Sequence, residues 1–99
     1  MMTSPSPALS ETLVPAFARG TRLQHDRVRD QWIVQAPERA FLADPIAAEI
    51  LKRVDGATSL QTIIDTLATD FAAPREVIAG DVLAMVASLA ERQVLIWKA

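Results

Sequence analysis

The chain has 99 residues, with 10 Lys and Arg against 12 Asp and Glu, a formal net charge of -2 and no cysteine. With 51% apolar residues, this describes one small domain with a real core and excludes wholesale disorder. The charge gives no general attraction for nucleic acid or anionic lipid, and the lack of thiols excludes a disulfide framework or a thiolate metal site.

Met1 to Ser10 lacks the basic start and apolar stretch of a signal peptide, so the expected compartment is the cytoplasm. No apolar run approaches the ~20 residues that span a bilayer. Residues 1–15, with Thr3-Ser4-Pro5-Ser6-Pro7, read as a flexible tail or linker, and residues 16–99 as the folded domain. A weak apolar cluster at Leu13, Val14 and Phe17 ends the tail.

Strands follow. Arg19 to Gln24 alternates loosely, and the charged stretch His25 to Asp30 reads as a turn. Gln31 to Gln35 carries Trp32, Ile33 and Val34, all strand formers, until Pro37 stops it. Arg39 to Ala43 is a third short strand, with Phe41 and Leu42 on opposite faces. Two hairpins this short predict a three-stranded antiparallel meander that needs a helical cover. Five arginines, Arg19, Arg22, Arg27, Arg29 and Arg39, fall in this part.

Three helices come next. Asp44 caps the first and Pro45 suits its first turn. Ile46, Ala47, Ile50, Leu51 and Val54 line its apolar face, and Gly56 fits the left-handed position that ends it. Thr58 and Gln61 form a capping box for the second, whose stripe is Leu60, Ile63, Ile64, Leu67 and Phe71. Pro74 opens the third, which runs to about Arg92. Val94 to Trp97 is an apolar strand or strap. On a helical wheel Met85, Ile78, Leu89, Val82, Val86 and Leu83 spread over about 160°, more than a small core hides. The surplus flank, Ala79, Leu83, Val86 and Ala90, is available for a groove or for the strap to cover.

Catalytic constellations are missing. His25 is the single histidine, too little for a metal site or a supported general base. Gly20, Gly56 and Gly80 are isolated, so no phosphate loop is expected. Asp65, Asp70 and Asp81 are dispersed, and Ser59 and Ser88 lack a base nearby in the sequence. The expectation is no enzyme, no metal and no cofactor. Three helices with a small sheet also fit a winged-helix DNA-binding regulator. Against it, Asp44 to Ala99 holds five Lys/Arg and eight acids, and Thr58 to Phe71 contains no cation. A structural subunit of an unrelated complex is the other alternative.

Three segments carry a family resemblance. Arg19-Gly20-Thr21-Arg22-Leu23-Gln24, then Trp32 to Arg39 (WIVQAPER), then Ala47-Ala48-Glu49-Ile50-Leu51 with Asp55-Gly56 resemble the pyrroloquinoline quinone (PQQ) biosynthesis protein D family, PqqD, from about Pro15 to Leu95. The resemblance implies an α+β fold, a truncated winged helix-turn-helix: an N-terminal three-stranded antiparallel meander followed by three α-helices. Such a RiPP recognition element is a peptide-binding module. It implies a chaperone that binds the precursor peptide PqqA and presents it to the radical SAM enzyme PqqE, which crosslinks a Glu and a Tyr. No nucleic acid and no membrane are implied as partners. Carried over by position, the peptide meets Arg39, Ala40, Phe41, Leu42 and Ala43 by strand addition, and Ala79, Val82, Leu83 and Val86 in the groove against the third helix. Arg39 and Arg75 are candidates for acidic residues of the peptide, and Arg19, Arg22, Arg27 and Arg29 for the enzyme partner. Many relatives have Leu-Asn and a small hydroxyl residue entering the first helix, where Ala43, Asp44, Pro45 and Ile46 stand here. Some relatives are fused behind PqqC, and the Ser/Pro-rich start reads as a possible remnant of that linker.

Overall fold

Alternation, turns and caps combine into two small sheets and three helices. The structure, a computed structural model, describes residues 10–98. In chain order these are β1 (Val14–Phe17), β2 (Arg22–Asp26), β3 (Gln31–Ala36), β4 (Arg39–Ala43), α1 (Pro45–Leu51), α2 (Leu60–Asp70), α3 (Arg75–Glu91) and β5 (Leu95–Lys98).

The meander β2-β3-β4 is antiparallel throughout. Its first strand starts later than expected and takes in His25, so the turn shrinks to Arg27–Asp30. Asp26 closes that turn by accepting from the amides of Val28 and Arg29, at 3.0 and 3.3 Å. Leu23, Val34 and Phe41 are register partners on the face turned to the helices, and Val34 is fully buried. Gly20 has φ +75, and a Cβ there would stand 2.9 Å from Pro37. The glycine is therefore required twice, by its left-handed backbone and by the approach of the β3–β4 turn.

A second, two-stranded sheet joins β1 to β5, pairing Val14 with Lys98 through Phe17 with Leu95. The apolar end at Val94–Trp97 is thus a strand, and its partner is the Leu13–Phe17 cluster. Residues 1–9 of the expected tail lie outside the described residues. Ser10 to Pro15 is held by the fold, so the expected boundary at residue 15 cuts through β1. The Leu13 carbonyl accepts from the Leu60 amide at 2.9 Å and the Glu11 carbonyl from the Gln61 amide at 2.8 Å. These two bonds satisfy amides that the start of α2 cannot satisfy internally.

The helices follow their caps. Asp44 accepts from the Ala47 amide at 2.8 Å, and Pro45 occupies the first turn. The expected box at Thr58 is displaced by one residue: Ser59 caps α2 by accepting from Thr62, while the Thr58 hydroxyl donates to Asp55. Gly56 does have a positive φ, but it lies in the Asp55 turn rather than at the end of α1. Val34, Ile50, Leu51, Leu60, Ile63, Ile64, Val82, Val86, Leu89, Val94 and Leu95 form one core. Two residues assigned to core stripes are not in it: Ile46 and Phe71 are each 54% exposed.

Candidate functional site

β4 is an edge strand: β3 covers one side, and among the described residues no strand covers the other. Its register with β3 decides which backbone groups are available. Ala36 and Arg39 bracket the two-residue turn Pro37-Glu38. They are its first and fourth residues, so they form the hydrogen-bonded pair that closes the hairpin. Alternation along the ladder then turns the N–H and C=O of Phe41 and Ala43 toward β3 and those of Ala40 and Leu42 outward. Ala40 and Leu42 make no other backbone hydrogen bond among the described residues. Their side chains are exposed, whereas Phe41 and Ala43 pack onto the core.

Next to this edge lies α3. The Arg92 guanidinium sits 4.1 Å over the Phe41 ring, and Arg39 donates to the Arg92 carbonyl. Neither arginine has a carboxylate partner among the described residues, so the start of β4 carries two unpaired cations. Nearer the start of α3, Ile78 and Asp81 face Pro45 and Ile46 of α1 across an apolar hollow of about 350 Å³.

These positions correct the sequence reading of α3. Val86 is fully buried, and Val82, 2% exposed, reaches only the floor of the hollow. Ala79 and Leu83 are half-buried against the core, and β5 packs on α3. The wide apolar arc is thereby taken up mostly by the core, with α2 and β5 packed on α3. What reaches β4 is Arg92, the residue that caps the end of α3, whereas Ile78 and Asp81 line the hollow against α1. Helical spacing alone could have placed Ile78 with Met85, but nothing in the sequence says which flank meets β4. Arg75 is occupied as well: it pairs with Glu11 at 2.6 Å and with Asp65, and Glu11 first, then Asp65, raises its pKa further. It is therefore a joint between the N-terminal segment, α2 and α3.

Of the expected partner patch, Arg19 precedes β2, the far edge of the same sheet, Arg22 opens it, and Arg27 and Arg29 lie in the β2–β3 turn, where Arg29 is held by Asp26 at 3.3 Å. His25 bonds Asp30 at 3.0 Å and lies against Trp32, their ring centroids 4.6 Å apart. No cluster of three His, Cys, Asp or Glu suited to a metal occurs among the described residues, and no helix is long and apolar enough to cross a membrane.

The family model for Coenzyme PQQ synthesis protein D (PqqD) matches residues 31–95, from the first residue of β3 into β5. The chain belongs to the PqqD family. A "PqqA binding protein" of Gluconobacter oxydans is 55% identical over 94 residues, covering 95% of this chain and 98% of that one. A protein of the same name from Rhodopseudomonas palustris is 44% identical over 91 residues, 92% of this chain and 89% of that one. Among solved structures, the PqqD truncation of Methylobacterium extorquens PqqCD, described as a functional, stand-alone RiPP recognition element, superposes with a TM-score of 0.77 at 39% identity. That match covers 90% of this chain and 95% of the other. PqqD from Xanthomonas campestris, also 39% identical, gives 0.56 over 97% and 99%. The mixed α+β architecture is the one expected, with the β1–β5 sheet added to the meander and three helices.

Proposed function

We propose that this chain binds a PqqA-type precursor peptide as an added strand on the outer edge of β4, and presents it to a PqqE-type radical SAM enzyme. The carrying observation is the edge itself: Ala40 and Leu42 turn unpaired N–H and C=O groups outward. The names of the relatives supply the peptide. Backbone pairing gives affinity with little demand on sequence, and the groove gives selectivity. Arg39 and Arg92, at the start of β4, meet an acidic residue of the peptide.

Presentation needs a second surface that stays accessible when the first is filled. Arg22, at the start of β2 across the sheet, and Arg27, in the β2–β3 turn, are assigned to the enzyme; neither has an ion-pair partner among the described residues. The test is titration of the isotope-labelled domain with the precursor peptide, then with enzyme. Saturable shifts in β4 are expected. Reversing Arg22 and Arg27 to Glu should spare peptide affinity and lose enzyme association. Absence of any peptide binding at high micromolar concentration overturns the reading.

A further inference from the structure

The meander has two outer edges, and the phase that opens Ala40 and Leu42 on β4 fixes the other edge as well. Trp32 and Val34 of β3 turn their N–H and C=O toward Ala43 and Phe41, so Gln31, Ile33 and Gln35 turn theirs toward β2. Their register partners are Asp26, Gln24 and Arg22, which leaves the backbone groups of Leu23 and His25 directed outward. Neither residue makes another backbone hydrogen bond among the described residues, and there β3 is the one strand that pairs with β2. The two-stranded sheet is guarded differently. The bond from the Ala18 amide to the Val94 carbonyl sets its phase, and turns Pro15, which has no donor, away from β5. β5 packs on α3, with Leu95 buried. β2 has neither a proline nor a packed helix to close its edge.

The charges at this edge choose its occupant. Arg22 opens β2 and Arg27 follows its last residue, a separation of about 17 Å at strand rise. Arg19 is exposed just before the strand. None of the three has an ion-pair partner among the described residues. The acids beside them are engaged: Asp26 accepts from the Val28 and Arg29 amides and from the Arg29 guanidinium, and Asp30 bonds His25. We infer that the PqqE-type enzyme docks by adding an extended acidic segment of its own to the outer edge of β2. Its backbone pairs with Leu23 and His25, and carboxylates about five positions apart meet Arg22 and Arg27. This rests on the reading above that gives Arg22 and Arg27 to the enzyme, and states how the enzyme holds that side. With the precursor on β4, the two added segments become the outer strands of one sheet, four strand spacings or ~19 Å apart. The enzyme's segment therefore neither covers nor displaces the paired segment of the precursor.

Amide-resolved hydrogen exchange is measured on the full chain alone at low and high concentration, with saturating PqqA-type precursor peptide, and with saturating PqqE-type enzyme. Enzyme should slow exchange at Leu23 and His25 at least tenfold, with little change at Gln24, already bonded to β3. Precursor alone should slow Ala40 and Leu42 and leave Leu23 and His25 as they were. Enzyme association is then compared between His25→Pro, which removes an outward donor, and His25→Ala, which keeps it. The proline should weaken association at least tenfold more than the alanine, with helical circular dichroism retained in both. Joint Arg22→Glu and Arg27→Glu should lose association, and the parent complex should weaken steeply with salt. Should His25→Pro fail to fold, the exchange pattern of the parent chain decides. Association lost on charge reversal, with exchange at Leu23 and His25 unchanged by enzyme, overturns strand addition on β2 and leaves the two arginines assigned to the enzyme. Slowing of these two amides by concentration alone makes the edge a self-association site, and slowing by precursor alone makes it a second peptide site; either result overturns the inference. Association indifferent to Arg22→Glu and Arg27→Glu overturns the assignment of the arginines, and the docking mode with it.

Discussion

Single residues set where the elements begin and how they respond to acid. Asp44→Ala removes the bond to the Ala47 amide, and should cost ~1 kcal/mol. For a domain of this size that is a fall of about 4–8 °C in Tm, with peptide affinity unchanged below the transition. Asp55 organises the turn before α2: the amide of Ala57, then the hydroxyl and amide of Thr58, hold its pKa below the ordinary carboxylate value. Glu49 is lowered too, chiefly by Lys52. A depressed folded-state pKa means that the unfolded chain binds more protons near pH ~4. The stabilisation is therefore complete above the unfolded value and lost as pH falls through the lower folded one. Thermal melts from about pH 6 to about pH 3 should show Tm falling with acidification, and Asp55→Asn should flatten part of that fall. Asp44 was legible because Asp-Pro has one strong helical meaning. Thr58 was misread because two adjacent hydroxyl residues both suit a cap, and Asp55 takes one of them. The left-handed residues that end α2 and α3 are Ala72 (φ 50) and Gln93 (φ 63). Without glycine, neither carried a signal.

Among the elements, those built on local periodicity were legible and those built on distant pairing were not. The β2-β3-β4 meander and the three helices follow from alternation, turns and 3.6-residue stripes. β1 is four residues long, contains Pro15, and meets β5 about eighty positions away; no local pattern announces such a pair. For the site, the Arg39–Ala43 edge was legible because the third strand of a meander ends a sheet. The flank of α3 that meets it was not, because a wheel gives circumference and not orientation. The hairpin register now separates two proline substitutions that the sequence left equivalent. Ala40→Pro removes an outward donor, and should abolish peptide binding while the helical spectrum and most of the stability are kept. Phe41→Pro removes a donor to β3 and should instead destabilise the domain. Circular dichroism with a binding isotherm on each variant distinguishes them, and reversal of the two outcomes would place the ladder in the opposite phase.

At the scale of the whole molecule, the N-terminal segment is a clasp. It supplies β1 to β5, carbonyls to the first amides of α2, and Glu11 to Arg75. The region matched by the family model begins only at Gln31, but a chain cut there would leave two helix-end amides without protein acceptors and Leu95 without its strand partner. Deleting residues 1–17 should therefore cost several kcal/mol, since an unpaired buried amide alone costs ~1–3 kcal/mol. Such a chain is expected to show no cooperative thermal transition. A parent-like melt would show the clasp to be dispensable.

The outer edge of β4, to which strand addition of the precursor is assigned, can be tested residue by residue. Amide hydrogen exchange is measured on the free domain and on the domain saturated with the precursor peptide. The account predicts strong slowing at Ala40 and Leu42, whose amides turn outward, and little change at Phe41 and Ala43, already bonded to β3. Unchanged exchange at Ala40 and Leu42 in the saturated complex would contradict strand addition on β4.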